Sequence, residues 1–273
     1  MKILIMQPPY PVSQTATAAG ECLNWMLTTL SDLQRGKHDL ILLPEYANAP
    51  GLNTSDSIRK FVNKRGNSFL RKISDFAASL KSSIALGAVT EQGGYWYNSG
   101  IFFDPTGCRR FEYRKIHLTD YESGMLGFTS GTCTTVYDHG DVRMSFAICF
   151  DQYFPEYFCA LAAQKVDIVL CPSYQRSETS NRIRLIAKAR ALDSGAHIIR
   201  SSYSMGKSLT GGHSLVASPA GEMLADAGAK PGIISVEIEP GFGYIKPSSY
   251  GQELIEHREL LERHRRPSAY RCR

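Results

Sequence analysis

Three segments of this chain leave a reactive side chain at what reads as the end of a strand. Leu42-Leu-Pro-Glu45-Tyr46 sets a carboxylate beyond a buried stretch. Tyr113-Arg-Lys115-Ile-His-Leu118 sets an amine among polar neighbours, and Ser145-Phe-Ala-Ile-Cys149-Phe-Asp151 ends an apolar run on a thiol. A thiol that loses its proton attacks an electrophilic carbon, a carboxylate can take that proton, and an ammonium can stabilise the resulting oxyanion. In open α/β sheets such groups gather outside the carboxyl ends of strands, so three strand ends could converge on one pocket. Singly, each residue has a plainer reading: Cys149 as a small buried hydrophobe, Glu45 as a solvated loop carboxylate, Lys115 as a surface cation.

The elements that must position them are legible as apolar runs bounded by turn residues. Strands are expected at Lys2 to Met6, Asp39 to Pro44, Ser83 to Val89, Val142 to Cys149, Val166 to Cys171, Ala196 to Ser202 and Gly232 to Ile238. Helical stretches lie between several of them, at Ala19 to Leu33, Gly66 to Leu80, Phe154 to Gln164 and Thr179 to Ser194. Strands alternating with helices predict an α/β fold. Tyr95 to Phe103 and His213 to Ala225 read as hairpins, which makes the sheet mixed. Asp104-Pro-Thr-Gly107 and Ser218-Pro-Ala-Gly221 read as turns. Gln252 to Arg266 has helical character. No linker or composition shift divides residues 1–273, so one domain is expected.

Composition excludes several classes. Of the 273 residues, 43% are hydrophobic and 21% charged, as in ordinary globular proteins. No apolar run approaches the roughly 20 residues that span a bilayer. The apolar stretch Ile3 to Met6 is shorter than a secretory core and meets Pro8, Pro9 and Pro11. The seven cysteines are odd in number and irregularly spaced, with no CxxC pair and no zinc-ligand pattern. A reducing cytoplasm and free thiols follow as the expectation. Net charge is +5, with much of the excess in Arg258, Arg263, Arg265, Arg266, Arg271 and Arg273. That reads as a solvated helix face and tail, not a nucleic-acid surface. Ser201 to Ser208 nearly matches a phosphate-binding loop but has Ser201 in place of the first glycine.

Taken together, the three segments resemble the nitrilase superfamily, the carbon–nitrogen hydrolases. LLPEY matches that family's glutamate motif, YRKIHL its lysine motif, and ICFDQYFPE (Ile148 to Glu156) its cysteine motif. Phe128-Thr-Ser-Gly131 resembles its FTPG turn with Ser130 in place of proline. Gly212 to Glu222 resembles its late GxSxIxxPxGE hairpin, and Arg265-Arg-Pro-Ser-Ala-Tyr270 its terminal RRPxxY signature. The motifs stand in the family's order over nearly the whole chain.

The resemblance implies a four-layer α-β-β-α sandwich and a homodimer or larger homo-oligomer. The subunits would join through the helices after Cys149 and near Thr179 to Ser194, with the C-terminal tail at the interface. It implies Cys149 as nucleophile, Glu45 as general base and acid, and Lys115 as oxyanion stabiliser, with the Phe150 backbone N–H as a second donor. Glu122 best matches the family's second acid, with Asp120 as fallback. The expected activity is hydrolysis of a small-molecule amide or N-carbamoyl compound through a thioester, with neither metal nor organic cofactor. The alternatives are a nitrilase using the same residues through a thioimidate, and a binding protein that keeps the fold without activity. Tyr153 stands where many relatives have arginine, which puts carboxylate recognition there in doubt. Arg176 is the other candidate for a substrate carboxylate, although a structural pair with Glu178 is slightly favoured. Tyr46, Tyr174 and Tyr203 either line the pocket or pack beside it.

Overall fold

A computed structural model describes residues 1–269. Tyr270 of the terminal motif, and Arg271, Cys272 and Arg273 of the basic tail, lie outside the described residues.

The chain forms β1 (Lys2–Gln7), α1 (Ala16–Ser31), β2 (Leu40–Leu42), α2 (Ser55–Phe61), α3 (Asn67–Leu80), β3 (Ser83–Gln92), β4 (Tyr95–Phe103) and β5 (Arg109–Arg114). It continues through β6 (Val136–His139), β7 (Val142–Phe146), α4 (Pro155–Ala163), β8 (Ile168–Pro172), α5 (Ser180–Ser194), β9 (His197–Ser201), β10 (Leu215–Ala217), β11 (Met223–Asp226) and β12 (Gly232–Glu237). A short ribbon, β13 (Ile245–Pro247) with β14 (Leu254–Glu256), precedes α6 (His257–His264).

The strands build two six-stranded sheets, in the orders β12-β1-β2-β3-β4-β5 and β11-β10-β9-β8-β7-β6. Each has three parallel strands at its heart, β1 to β3 and β7 to β9, with antiparallel strands outside. Alternation along β1 shows how the layers stack. Leu4 and Met6 pack with Leu23 and Met26 of α1 and Ile73 of α3. Ile3 and Ile5 instead join Phe146 and Ile199 of the second sheet. Ile183, Ala187 and Ala191 of α5 are buried against that sheet's outer face. Strands covered on both faces read as continuous apolar runs rather than as alternation. The result is the four-layer α-β-β-α sandwich. Gly100 of β4 marks how close the sheets come: a Cβ there would lie 2.5 Å from the Phe146 ring.

Some boundaries differ from expectation. Tyr95–Phe103 is one strand, not a hairpin, because the reversal falls on Gly93-Gly94, both at positive φ. The hairpin at His213 to Ala225 is present as β10 and β11. Both expected turns close, with Gly107 N–H on Asp104 O at 2.9 Å and Gly221 N–H on Ser218 O at 2.8 Å. Within Gln252 to Arg266 only His257–His264 is helical; Leu254–Glu256 pairs with β13 and buries Ile255. Unforeseen was α2, too short for a clear period, which Thr54 and Ser57 cap reciprocally. Among the described residues no helix is long and apolar enough to cross a membrane.

Candidate active site

Glu45 lies just beyond β2. The strand's ladder ends at Leu42, but Leu43 N–H on Ala85 O (2.9 Å) and Ala47 N–H on Gly87 O (2.8 Å) keep the segment against β3. The fit needs a glycine at 87, where a Cβ would stand 2.6 Å from the Glu45 Cα. Tyr46, at φ 55°, turns the chain away. Lys115 is the first residue past β5. Its N–H donates to Asn98 O (2.8 Å), and its carbonyl accepts from Gly131 N–H (2.9 Å) in the Phe128–Gly131 turn.

Cys149 follows β7, whose ladder stops at Phe146, three residues before the expected strand end. The cysteine opens a 3-10 turn (Cys149–Tyr153) at φ 45°, a left-handed conformation that costs a non-glycine residue energy and that surrounding contacts must hold. Asp151 is one such contact. Its Oδ2 accepts from Ile148 N–H (2.8 Å) and Tyr113 OH (2.9 Å), and its Oδ1 accepts from His117 N–H (3.1 Å). The Cys149 turn is thereby tied to the segment that carries Lys115.

The charged groups interlock. Lys115 Nζ donates to Glu45 Oε1 and to both Glu122 oxygens, each at 2.9 Å. Asn98 Nδ2 lies 2.7 Å from Glu45 Oε1 and from Glu122 Oε1. Tyr46 OH (2.6 Å) and Thr119 N–H (2.9 Å) also donate to Glu122. Relative exposure is 1% for Glu45, 1% for Lys115 and 4% for Glu122. Asp120 is exposed and lies outside this network.

Such burial moves proton affinities. Burial alone would lower the Lys115 ammonium, but Glu45 and Glu122 more than offset it and hold the amine above the usual lysine range. Glu45 is raised, burial outweighing the opposing Lys115 charge, with the Glu122 charge adding to the rise. Glu122 is lowered: burial opposes this, but Lys115 and the donors from Thr119 and Tyr46 prevail. Two neighbouring carboxylates are thus pushed apart, one toward exchanging a proton and the other toward permanent charge. The Cys149 thiol is raised, by burial first and then by the Glu45 charge, while Lys115 and a backbone hydrogen bond from Tyr174 act against the rise.

A cavity of about 280 Å³ opens onto Glu45, Lys115, Glu122 and Cys149, with Tyr174 and Arg176 on its wall. A larger surface cavity of about 880 Å³, between α1 and α2, holds none of these groups. The remaining candidates fall unevenly. The Phe150 ring packs on Tyr153 and Phe154 and does not line the cavity. Tyr153 is turned outward, its hydroxyl on Glu178. The Arg176–Glu178 pair does not form, because Glu178 takes Arg182 at 3.0 Å and Thr179 N–H at 2.8 Å. Arg176 lies over the Tyr174 ring and reaches only Tyr10 OH, at 3.5 Å. Tyr203 OH braces the Glu45 carbonyl at 2.9 Å. Asn98 and Thr119 were not foreseen. The signal for Asn98 was an amide inside an otherwise apolar strand; Thr119 gave none.

Fold and site together define a hydrolase of the cysteine-dependent kind, built on a four-layer sandwich. The carbon-nitrogen hydrolase family model matches residues 5–242, and the chain belongs to that family. It is a hydrolase acting on carbon–nitrogen bonds other than peptide bonds. It is similar to a hydrolase of Schizosaccharomyces pombe, 27% identical over 83% of this chain and 75% of that protein. It is also similar to the human omega-amidase NIT2, 26% identical over 73% of this chain and 76% of that one. An amidase from Nesterenkonia sp. shares the fold, with TM-score 0.76 and 20% identity over 99% of this chain and 95% of that one.

Proposed function

We propose that this protein hydrolyses a small amide or N-carbamoyl compound through a thioester on Cys149, releasing ammonia or an amine. One observation carries this: a cavity with the Cys149 thiol on its wall also holds an ammonium shared between one raised and one lowered carboxylate. Supporting it, one variant of an amidase of the same fold carries the acetamide moiety of fluoroacetamide covalently on its active-site cysteine, and another variant of it binds butyramide.

In this mechanism Glu45 accepts the Cys149 proton as sulfur attacks the substrate carbon. The Lys115 ammonium and the Phe150 backbone N–H stabilise the oxyanion. Protonated Glu45 gives its proton to the leaving nitrogen, the C–N bond breaks, and a thioester remains. Water gives a proton to Glu45 and attacks the thioester, releasing the acid and restoring the thiol. Glu122 stays ionised, orients Lys115 and faces the substrate nitrogen. Tyr174 lines the acyl side of the cavity, Tyr153 braces Glu178 behind it, and Arg176 receives a carboxylate at the far end of the substrate.

Residues 1–273 act as one catalytic domain, and we place it in the reducing cytoplasm, consistent with six free cysteines among the described residues. A second copy covers the helical face bearing the exposed Leu185, Leu192 and Leu261. Light scattering that finds only monomer would remove that assembly from the picture.

The test is ammonia or amine release from a panel of small amides, N-carbamoyl amino acids, N-carbamoyl amines and nitriles, with Cys149→Ala as control. Release from an amide or carbamoyl class that vanishes in the variant supports the assignment. Release from nitriles alone overturns it in favour of nitrilase chemistry, and turnover retained by the variant overturns the thioester.

A further inference from the structure

Arg200 of β9 is fully buried, with 0% exposure, and takes no part in the chemistry above. No carboxylate lies within ion-pair distance of it among the described residues. Its partners are neutral oxygens: Nη1 donates to Gly212 O (2.6 Å) and His213 O (2.8 Å). Nε and Nη2 fork onto Gln175 Oε1 at 3.2 and 2.8 Å. A guanidinium carried into the interior without a counter-ion is costly, and hydrogen bonds to neutral oxygens offset only part of that cost.

Gln175 indicates the use. It follows Tyr174, whose backbone N–H donates toward the Cys149 sulfur, and precedes Arg176 on the cavity wall. The fork therefore holds the loop that touches the nucleophile. The charge has a role as well. Once Glu45 holds the thiol proton, the Lys115 ammonium still serves Glu122 at 2.9 Å, so a Cys149 thiolate shares that cation with a carboxylate. Those four side chains carry one net negative charge before and after the thiol proton moves to Glu45, and the move shifts that charge from the carboxylate to the sulfur. In a medium of low dielectric, an unneutralised cation behind the turn acts over several ångströms.

We propose that Arg200 is a positioning residue for Cys149: it fixes the Tyr174–Arg176 loop through Gln175 and favours the thiolate with its unpaired charge. Other titratable groups around it are Cys149 and Tyr153 on the turn, Cys171 of β8, and Asp226 of β11. Asp226 is engaged elsewhere, by Arg184 at 2.7 Å and His213 at 2.9 Å. Burial lowers the guanidinium to about 10, so it remains charged at neutral pH.

The proposal deepens the thioester mechanism but is tested without any amide. The rate of Cys149 alkylation by iodoacetamide is followed against pH in the full-length protein, with the adduct located by mass and Cys149→Ala as background. Gln175→Glu keeps the fork's shape and neutralises Arg200. It is expected to label Cys149 about tenfold more slowly at pH 7, with the pH dependence displaced upward by about one unit. Arg200→Lys and Arg200→Gln separate cancelled charge from added charge: the lysine variant should keep the parent's pH dependence and the glutamine variant should shift it upward. A folded Gln175→Glu protein with the parent's rate and pH dependence overturns the charge role. Equal pH dependence in the two Arg200 variants does so as well, even if Gln175→Glu does not fold. Failure of every amide in the panel, alongside these shifts, would instead remove the substrate assignment and leave Arg200's role standing.

Discussion

The floor and the rim of the cavity are built on opposite plans. On the floor, Glu45, Lys115, Glu122 and Asn98 are buried and joined by charge-assisted bonds of 2.7 to 2.9 Å. On the rim, Tyr121 and Arg176 are exposed, and Arg176 lies over the Tyr174 ring with a long hydrogen bond to Tyr10. Removing a floor residue leaves a buried charge uncompensated, whereas removing a rim residue only exposes it further to water. The floor is therefore held rigidly and the rim loosely, within one cavity.

The contrast breaks most sharply at Cys149. Cys149→Ala should lower turnover at least about a thousandfold and leave the thermal midpoint near the parent's. Ammonia release and calorimetry check the two halves of that expectation. Next, Lys115→Met strands Glu45 and Glu122 together and should cost about 3–5 kcal/mol of stability in urea unfolding. A loss below 1 kcal/mol would mean the floor is not held by its charges. Asn98→Leu should cost about 1–3 kcal/mol, because both carboxylates lose a donor.

Acid titration separates the two carboxylates. Glu122 is lowered in the folded protein, so its contribution is present above the ordinary glutamate value of about 4.3 and is lost as pH falls through the lowered value. Glu45 is raised and has the opposite sign: as pH falls through its raised value, folding gains. Glu122→Gln should flatten the acid-side loss in urea unfolding at stepped pH. Glu45→Gln should leave that loss in place, and a reversal of the two would exchange their roles. The smallest effect belongs to the rim. Arg176→Ala should change stability by about 0.5 kcal/mol or less. It should raise KM for carboxylate-bearing amides alone, with kcat and uncharged amides unaffected. A fall in kcat for every substrate would move Arg176 to the floor.

Four of the helices and most of the core strands could be read directly, because α1, α3, α4 and α5 carry an apolar stripe and β1, β3, β8 and β9 each contain an apolar run. The strand before Cys149 was overextended because apolarity continues through Ala147 and Ile148 after the ladder has stopped. Asn98 escaped notice because β4 meets Glu45 and Glu122 only in space, and Thr119, although only three residues before Glu122, lies in irregular chain with no period to mark it.

What the residues alone determined was which side chains to consider for chemistry, since Glu45 and Cys149 each follow an apolar run, Lys115 follows a polar-rich strand, and all three sit inside local motifs. Periodicity likewise determined the alternation of strand and helix, a property of neighbours in the chain. Only the tertiary structure decided that two sheets, not one, bring these ends together, that Glu122 rather than Asp120 meets Lys115, and that Arg176 is left for the cavity while Glu178 takes Arg182. Proton affinity belongs to the same group. Burial and the distance between charges set it, and both exist only once segments as far apart as residues 45 and 149 are folded against one another.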